Sequence, residues 1–173
     1  MIFEGIGYYK SAIDEKIISD VLSRSSNLEF TKNDRYNQVD SMFESCYLNN
    51  DEDIDLRRVS LNILENYLKD IKIDRLLGIT DFIIESSSVD VIKKGTSLPI
   101  HFDNDNKGFR YFLFLVYLNK LDDGQLIFPR QDLVITPTPG SVVIIPTTYL
   151  FPHMVMPSKY DRYTYHLNFE RKI

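Results

Sequence analysis

The first half of the chain carries two segments whose apolar residues recur at the spacing of an amphipathic helix. Across residues 13–22, isoleucine and valine stand four positions apart, with Ser11 just ahead as the expected N-cap. Across residues 55–77, apolar side chains recur every three or four positions, and Gly78 follows as a stop signal. Two N-terminal helices are therefore predicted, each with one apolar face available for packing.

After Gly78 the pattern changes to short β-branched and aromatic runs separated by turn residues, which is typical of strands. The runs are DFIIE, VDVIKK, FRYFLFLVYL, GQLIF, DLVIT, SVVIIP, HMVMP and RYTYHLNF. About eight strands at this regular spacing predict a sandwich or barrel, so the fold class is α+β with the helices outside a β-core. We predict a single domain over residues 1–173, with a helical part at about 1–78 and a β-core at about 79–173.

A long polar stretch, TKNDRYNQVDSMFESCYLNNDED, lies between the two predicted helices and has the character of a β-hairpin or of a lid. Long loops of this kind are often functional. Met42, Phe43 and Tyr47 within it either form a lid over a binding site or build a small secondary core.

The composition is that of an ordinary soluble globular protein, with 43% hydrophobic and 26% charged residues. No apolar run is long enough to span a bilayer, and the opening MIFEGIGYYK lacks the features of a secretory signal. The single cysteine, Cys46, excludes an internal disulfide and fits a reducing compartment, so a cytoplasmic location is expected. The net charge of −5 argues against nucleic acid as a partner, and no membrane interaction is expected.

Candidate chemistry appears in the stretch IHFDNDNKG, where His101 and Asp103 are two positions apart. On an extended chain such residues point to the same side, so an imidazole and a carboxylate can face one ion. His153 opens a later strand-like run and adds a second imidazole. Two histidines and one carboxylate form the facial triad that holds ferrous iron with open positions, whereas an isolated H-x-D pair is common in ordinary loops.

Several motifs after residue 92 together resemble the prolyl 4-hydroxylase-like group of iron(II)- and 2-oxoglutarate-dependent dioxygenases, and most nearly its oxygen-sensing branch. They are IKKGTSLPIHFD, HFDNDNKGFRYFLFLVYLN, LDDGQLIF, TPTPGSVVIIP and HMVMPSKYDRYTYHLNF. The resemblance covers the C-terminal half of the chain. It implies a double-stranded β-helix, or jelly roll, with the N-terminal helices packed on one sheet.

The resemblance also implies a ligand set and a co-substrate site. His101, Asp103 and His153 would hold iron(II), and Arg162 and Tyr117 would bind the distal carboxylate of 2-oxoglutarate. O2 would be the second co-substrate, with ascorbate as the reductant. Taken without the resemblance, Arg162 reads as a surface arginine on a strand and Tyr117 as a core aromatic.

Three further residues are candidates for the substrate side of the site. Arg110 matches an arginine that borders the substrate groove in the family, or else it caps the turn that ends at Gly108. If Arg162 points inward, strand alternation places His166 and Asn168 on the same face, where they are substrate-side candidates. The alternative is that this strand end is open to solvent.

The resemblance implies a dioxygenase that hydroxylates a prolyl residue in a peptide or protein, with release of succinate and CO2. It also implies hydroxylation rather than halogenation, because the carboxylate of Asp103 is present. Three positions depart from the family pattern: residues 91–92 replace a tyrosine, Asp123 a glycine and Asn168 a tryptophan. The alternatives are a hydroxylase of a free amino acid or small metabolite, and a non-catalytic β-helix module that binds a diacid or another metal such as zinc.

Overall fold

The computed structural model describes residues 1–32, 43–49, 51–74, 78–103 and 110–172. The predicted turn at 104–108 and Met42 of the possible lid lie outside these residues. The helices are α1 (Glu15–Ser25) and α2 (Ile54–Asp70), and Ile79–Asp81 form a 3-10 turn. The strands are β1 (Ile2–Phe3), β2 (Ile6–Tyr9), β3 (Thr31–Lys32), β4 (Phe43–Tyr47), β5 (Phe82–Ile92), β6 (Leu98–His101), β7 (Arg110–Tyr117), β8 (Leu126–Phe128), β9 (Leu133–Ile135), β10 (Val142–Pro146), β11 (His153–Val155) and β12 (Arg162–Arg171).

The described strands pair antiparallel and form two sheets. The larger sheet has the order β1-β2-β10-β7-β12-β5-β4-β3, and the smaller has the order β6-β11-β8-β9. One apolar cluster combines side chains of both sheets, and a second combines the larger sheet with the two helices. This is the predicted α+β jelly-roll arrangement, with the helices packed on one sheet.

Strand β7 shows why the larger sheet is apolar on both faces. Phe112, Phe114 and Val116 belong to the cluster on the helix side, whereas Leu113 and Leu115 belong to the cluster shared with the smaller sheet. Side chains alternate along a strand, so a strand covered on both faces is a continuous apolar run. The run RYFLFLVY therefore marks the centre of the fold.

Helix α1 begins later than its sequence pattern predicts. Asp14 is the N-cap, and its carboxylate accepts a hydrogen bond of 2.8 Å from the backbone N–H of Lys16. Ser11 has a φ of 49° and lies in the preceding turn, so the prediction that it caps the helix is wrong. Aspartate caps a helix as well as serine does, and the sequence offered both.

Helix α2 ends at Asp70, so the prediction that it extends to residue 77 is wrong. Lys72 has a φ of 61°, the left-handed conformation that ends many helices and is usually taken by glycine. Ile71 and Ile73 still pack against the helix-side cluster. The apolar spacing therefore continues through a segment that is no longer helical.

Strands β3 and β4 pair antiparallel, as the β-hairpin alternative for the polar stretch between the helices predicts. Three other strands, β1, β2 and β6, were not predicted, because they are short or lack alternation; they have two to four residues each. Strand β2 pairs with β10 and β4 pairs with β5, so both extend the larger sheet. In contrast, DFIIE and VDVIKK belong to one strand, β5, because the serines between them stay extended.

No helix in the described part of the chain is long and apolar enough to cross a bilayer.

A buried polar cluster ties helix α2 to the centre of the larger sheet. The Tyr165 hydroxyl donates to an oxygen of Asp53 at 2.8 Å, and both residues are almost fully buried. Arg57 donates to the other Asp53 oxygen and to the Ser87 hydroxyl. The carboxylate just ahead of α2 is thus held by groups from β12 and from the helix itself.

We expect Tyr165→Phe to lower the free energy of unfolding by about 1–3 kcal/mol, because it removes a donor from a buried carboxylate. Urea denaturation measures this change. Tyr163→Phe is the matched control, since Tyr163 lies on the same face of β12 but is only half-buried. Its effect should stay within about 0.5 kcal/mol. Equal losses in the two variants would contradict a special role for the Tyr165–Asp53 bond.

Candidate active site

The two histidines that are far apart in sequence meet because β6 and β11 are neighbours in the smaller sheet. His101 and His153 are directly opposite each other in the antiparallel pairing. Their ring centroids are 4.5 Å apart, with the ring planes at 59°. The strand pairing alone therefore brings two imidazoles to one point.

Asp103 follows the end of β6 and completes the cluster. One of its oxygens lies 3.7 Å from Nε2 of His101, and the other lies 3.2 Å from Nε2 of His153. One ligand atom from each of the three residues lies within 4.8 Å of the other two. Two nitrogens and a carboxylate at this spacing suit a transition-metal ion that keeps positions open for other ligands.

Both histidines are oriented by backbone carbonyl groups. Nδ1 of His101 lies 2.7 Å from the oxygen of Pro99, and Nδ1 of His153 lies 3.1 Å from the oxygen of Phe151. A carbonyl oxygen only accepts, so each Nδ1 carries the proton and donates it. Each Nε2 is then left with its lone pair on the side of Asp103, as a metal ligand requires.

The electrostatics of the cluster also suit a cation. Burial lowers the pKa of His101. Burial alone would raise the pKa of Asp103, but attraction to His153 and His101 holds it below its usual range. For His153, burial acts to lower the pKa, but the charge of Asp103 and a hydrogen bond to it raise the pKa above its ordinary value. The carboxylate is therefore ionised, and its charge favours a cation at the histidine nitrogens, either a proton or a metal ion.

A buried cation stands in the same pocket. Arg162 is 2% exposed, and its Nε and Nη2 have no hydrogen-bond partner among the described residues. The hydroxyl of Tyr117, 1% exposed, also lacks a partner there. Burial lowers the pKa of Arg162 and raises that of Tyr117. Buried donors are normally paired, so these groups fit a bound anion such as a carboxylate.

Gly124 makes room for this arginine. It has a φ of 68°, and a Cβ added there would lie 2.6 Å from Nη2 of Arg162 and 2.7 Å from Cβ of Ser158. The turn LDDGQLIF therefore needs glycine for two reasons, its left-handed backbone and its contact with the guanidinium.

Strand β12 supplies a third part of the pocket. Arg162, Thr164, His166 and Asn168 all line it, while Tyr165 points to the helix side. The alternation expected for this strand is present. Asn168 is 4% exposed, so this part of the strand is not open to solvent.

The inward polar groups of β12 are matched by groups on β5. Nδ1 of His166 lies 3.1 Å from Oδ2 of Asp90, and its Nε2 lies 3.0 Å from the hydroxyl of Thr164. The amide of Asn168 donates to the hydroxyl of Ser86 at 3.0 Å. Apart from Arg162, the inward polar side chains of β12 are therefore paired, mostly with groups on β5.

Two other candidates occupy different parts of the pocket. Arg110 lines it, and its Nε and Nη2 donate to one oxygen of Glu85 at 3.0 and 2.6 Å. Phe43 of β4 lines the pocket and belongs to the cluster between the sheets, whereas Tyr47 is 51% exposed. The stretch between the two helices therefore contributes Phe43 to the pocket wall, and this residue belongs to a strand.

Asp90, Glu85 and the contact between Gly124 and Arg162 were not predicted. Asp90 had a signal in the sequence, because an aspartate between two valines in a buried strand is out of place unless it has a partner. Glu85 and the Gly124 contact had none, since both depend on how distant strands are placed.

Residues 87–170 match the family model described as the 2OG-Fe(II) oxygenase superfamily. This match contains every residue of the metal cluster and of the buried anion site. The matched segment is that of a 2OG-Fe(II) oxygenase. The predicted family and enzyme class are thereby confirmed, and with them iron(II), 2-oxoglutarate and O2 as the cofactor and co-substrates of the family.

Solved structures of three prolyl hydroxylases resemble this oxygenase over nearly the whole chain. The viral collagen prolyl hydroxylase of Paramecium Bursaria Chlorella virus-1, in complex with 2OG, has a TM-score of 0.74 at 14% identity, covering 99% of this chain and 100% of that one. A Trichoplax adhaerens prolyl hydroxylase in complex with a hypoxia inducible factor peptide fragment has a TM-score of 0.73 at 21% identity. This match covers 96% of the present chain and 84% of that one. A Pseudomonas putida prolyl-4-hydroxylase has a TM-score of 0.71 at 18% identity, and the match covers 98% of the present chain and 94% of that one. At these identities the likeness establishes the fold, and the predicted double-stranded β-helix is confirmed.

No curated protein sequence matches the chain.

We expect Gly124→Ala to raise the Kd for 2-oxoglutarate at least about tenfold, because the new methyl group displaces the guanidinium of Arg162. Calorimetric titration of the manganese-loaded protein measures this. Gly95→Ala is the matched control, since Gly95 has a φ of 77° but nothing within 4 Å of an added Cβ. Both variants incur backbone strain, but only Gly124→Ala should weaken binding. Equal Kd values in the two variants would show that the contact with Arg162 is unimportant.

Proposed function

We propose that the protein hydroxylates a prolyl residue in a peptide or protein, using O2 and 2-oxoglutarate and releasing succinate and CO2. The observation that carries this proposal is the buried Arg162, whose Nε and Nη2 have no partner among the described residues, in the same pocket as the His101–Asp103–His153 cluster. A site that binds only a metal would not need a buried guanidinium. A site for a diacid that chelates the metal needs the metal ligands at one end and the guanidinium at the other.

His101, Asp103 and His153 would hold iron(II) through two Nε2 atoms and the carboxylate. The backbone carbonyls that hold each Nδ1 fix the rings before the metal arrives, which lowers the entropic cost of binding. Iron(II) supplies the activation of O2, which amino-acid side chains cannot provide, with 2-oxoglutarate as the source of two electrons. Ascorbate as an auxiliary reductant remains a prediction.

Arg162 and Tyr117 would anchor the distal carboxylate of 2-oxoglutarate. A guanidinium presents two parallel donors to a carboxylate, and a buried one gains more from this contact than an exposed one because no water competes. The Tyr117 hydroxyl stays protonated, since burial raises its pKa, and it can donate a further bond. Leu115, Leu126 and Val155 also line the pocket and limit the access of water to these groups.

The charge balance of the pocket favours a peptide-bound residue over a free amino acid. A free amino acid brings a carboxylate and an ammonium group, and each needs a partner when buried. Among the described residues lining the pocket, the cations are Arg162, required by the diacid, and Arg110, paired with Glu85. A prolyl residue within a peptide is neutral and needs no such partner. The three prolyl hydroxylases of similar fold support the same choice.

One spectrum tests the metal and co-substrate sites together. Anaerobic addition of iron(II) and 2-oxoglutarate should give a visible charge-transfer band, because the diacid chelates the metal. His101→Ala should abolish the band, since it removes a metal ligand. A protein that binds iron but gives no band would refute the placing of the diacid in this pocket.

Arg162→Ala should raise the Kd for 2-oxoglutarate about a hundredfold, because it removes the charge-assisted contact and leaves a buried carboxylate unpaired. Succinate released in the absence of substrate should fall in parallel. The Kd of Arg162→Lys should lie between those of the wild-type protein and Arg162→Ala, since a lysine supplies the charge without the planar pair of donors. Replacement of the exposed Arg58 by alanine is a charge control and should change neither quantity.

Incubation with proline-rich peptides, free proline and free lysine identifies the substrate class. A mass gain of one oxygen atom on a peptide proline, with a matching amount of succinate, is the expected result. A gain on a free amino acid alone would favour the small-molecule alternative. Absence of succinate with all of them, in iron-loaded protein with ascorbate, would favour a non-catalytic binding module.

A further inference from the structure

The pair His166–Asp90 lines the same pocket as the metal cluster and Arg162. Residues on one face of a strand are spaced roughly 6.6 Å apart, and 2-oxoglutarate measures about 5 Å between its carboxyl carbons. A diacid that is anchored at Arg162 and chelates the metal is therefore too short to reach far beyond one such step along β12. His166, one step further along β12, is left for the substrate.

The contacts of His166 leave one ring nitrogen as an acceptor. The carboxylate of Asp90 only accepts, so the proton of the ring lies on Nδ1, 3.1 Å from Oδ2. Nε2 then has a lone pair, and it accepts a hydrogen bond from the Thr164 hydroxyl at 3.0 Å. The side chain of His166 is 21% exposed and that of Asp90 is 7% exposed, so the ring is the part that a ligand meets.

The Thr164 hydroxyl has a second acceptor nearby. Its oxygen also lies 3.5 Å from the main-chain oxygen of Asp90. Rotation of the hydroxyl hydrogen about the C–O bond therefore exchanges the hydrogen bond to the ring for one to this carbonyl group. The other carboxylate oxygen of Asp90, Oδ1, is buried and has no hydrogen-bond partner among the described residues. The part of the pocket formed by Thr164, His166 and Asp90 therefore has acceptors to spare, and a ligand that donates a hydrogen bond fits it.

We infer that His166, held by Asp90, is a specificity-determining residue that accepts a hydrogen bond from the substrate. On binding, a substrate N–H replaces the Thr164 hydroxyl at Nε2, and Thr164 turns to the Asp90 carbonyl. This inference rests on the proposed prolyl substrate. A prolyl residue in a chain has no N–H of its own, so the donor is the amide of the following residue. The contact would set which carbon of the ring faces the metal.

The tautomer is tested without turnover. In zinc-loaded protein with 2-oxoglutarate and 15N-labelled histidine, the spectrum of His166 should show a protonated Nδ1 and a bare Nε2. The signal is assigned by its absence in His166→Gln. Asp90→Asn should weaken this preference, because the amide no longer demands a donor. A proton on Nε2 in the wild-type protein would overturn the inference whether or not the protein is an oxygenase.

The hydrogen bond is tested by removing its donor from the substrate. A short alanine peptide with a central proline is compared with its analogue N-methylated on the following residue. In the wild-type protein, N-methylation should lower kcat/KM about tenfold and reduce the product formed per succinate. In His166→Phe it should cause no further loss, because the acceptor is absent. An equal loss in both proteins would overturn the inference.

His166→Gln and Tyr163→Phe show whether the loss in His166→Phe comes from a badly oriented substrate or from a disturbed fold. His166→Gln places an amide oxygen near the position of Nε2 and should keep more of the product-to-succinate ratio than His166→Phe does. Tyr163→Phe, on the other face of the same strand, should leave the ratio as in the wild type. Loss of iron or 2-oxoglutarate binding lowers product and succinate together, so failure of the proposed function is distinct from loss of this contact. A ratio equal in all variants would remove His166 from the substrate contact.

Discussion

The antiparallel pairing of β6 with β11 is the constraint on which the site depends. It sets His101 opposite His153, so two residues distant in sequence reach the spacing of cross-strand neighbours. A slip of one residue would turn one imidazole to the other face of the sheet and remove it from the cluster. The remaining contacts refine this geometry: two backbone carbonyls fix the ring tautomers, and Asp103 supplies the charge that both rings face.

Strand β12 connects the site to the rest of the fold through its two faces. Its inward side chains line the pocket, while Tyr165 on the outward face bonds to the carboxylate ahead of α2. The helix layer thus holds the strand that carries Arg162 and His166. A small domain has few rigid elements, and a central strand paired on both sides is among the most stable places for a binding group.

The sequence predicted those parts of the fold that follow from local pattern or from motif spacing. The run RYFLFLVYL identified the central strand, and His101, Asp103 and His153 were chosen from their residue types and positions. The alternation along RYTYHLNF placed His166 and Asn168 inside the pocket. The sequence did not predict β2, because a short strand is stabilised by its neighbours, here β1 and β10, more than by its own pattern. Glu85 was missed, since a partner across a sheet is fixed by register, which no single segment carries. Asp90 was missed although its place between two valines indicates a buried partner. The end of α2 was missed because Ile71 and Ile73 stay apolar for packing reasons after the helix has stopped.

Strand β6 ends its sheet, and within the described chain its outer side has no neighbouring strand. An open strand of this kind is a template on which another polypeptide can assemble, and proline is one of the residues that prevents it by lacking an amide proton. Pro99 occupies the middle of β6, and the same residue offers its carbonyl to His101. A single imino acid thus orients a side chain of the His101–Asp103–His153 cluster and leaves one amide proton fewer on the open strand, so a substitution there would change both.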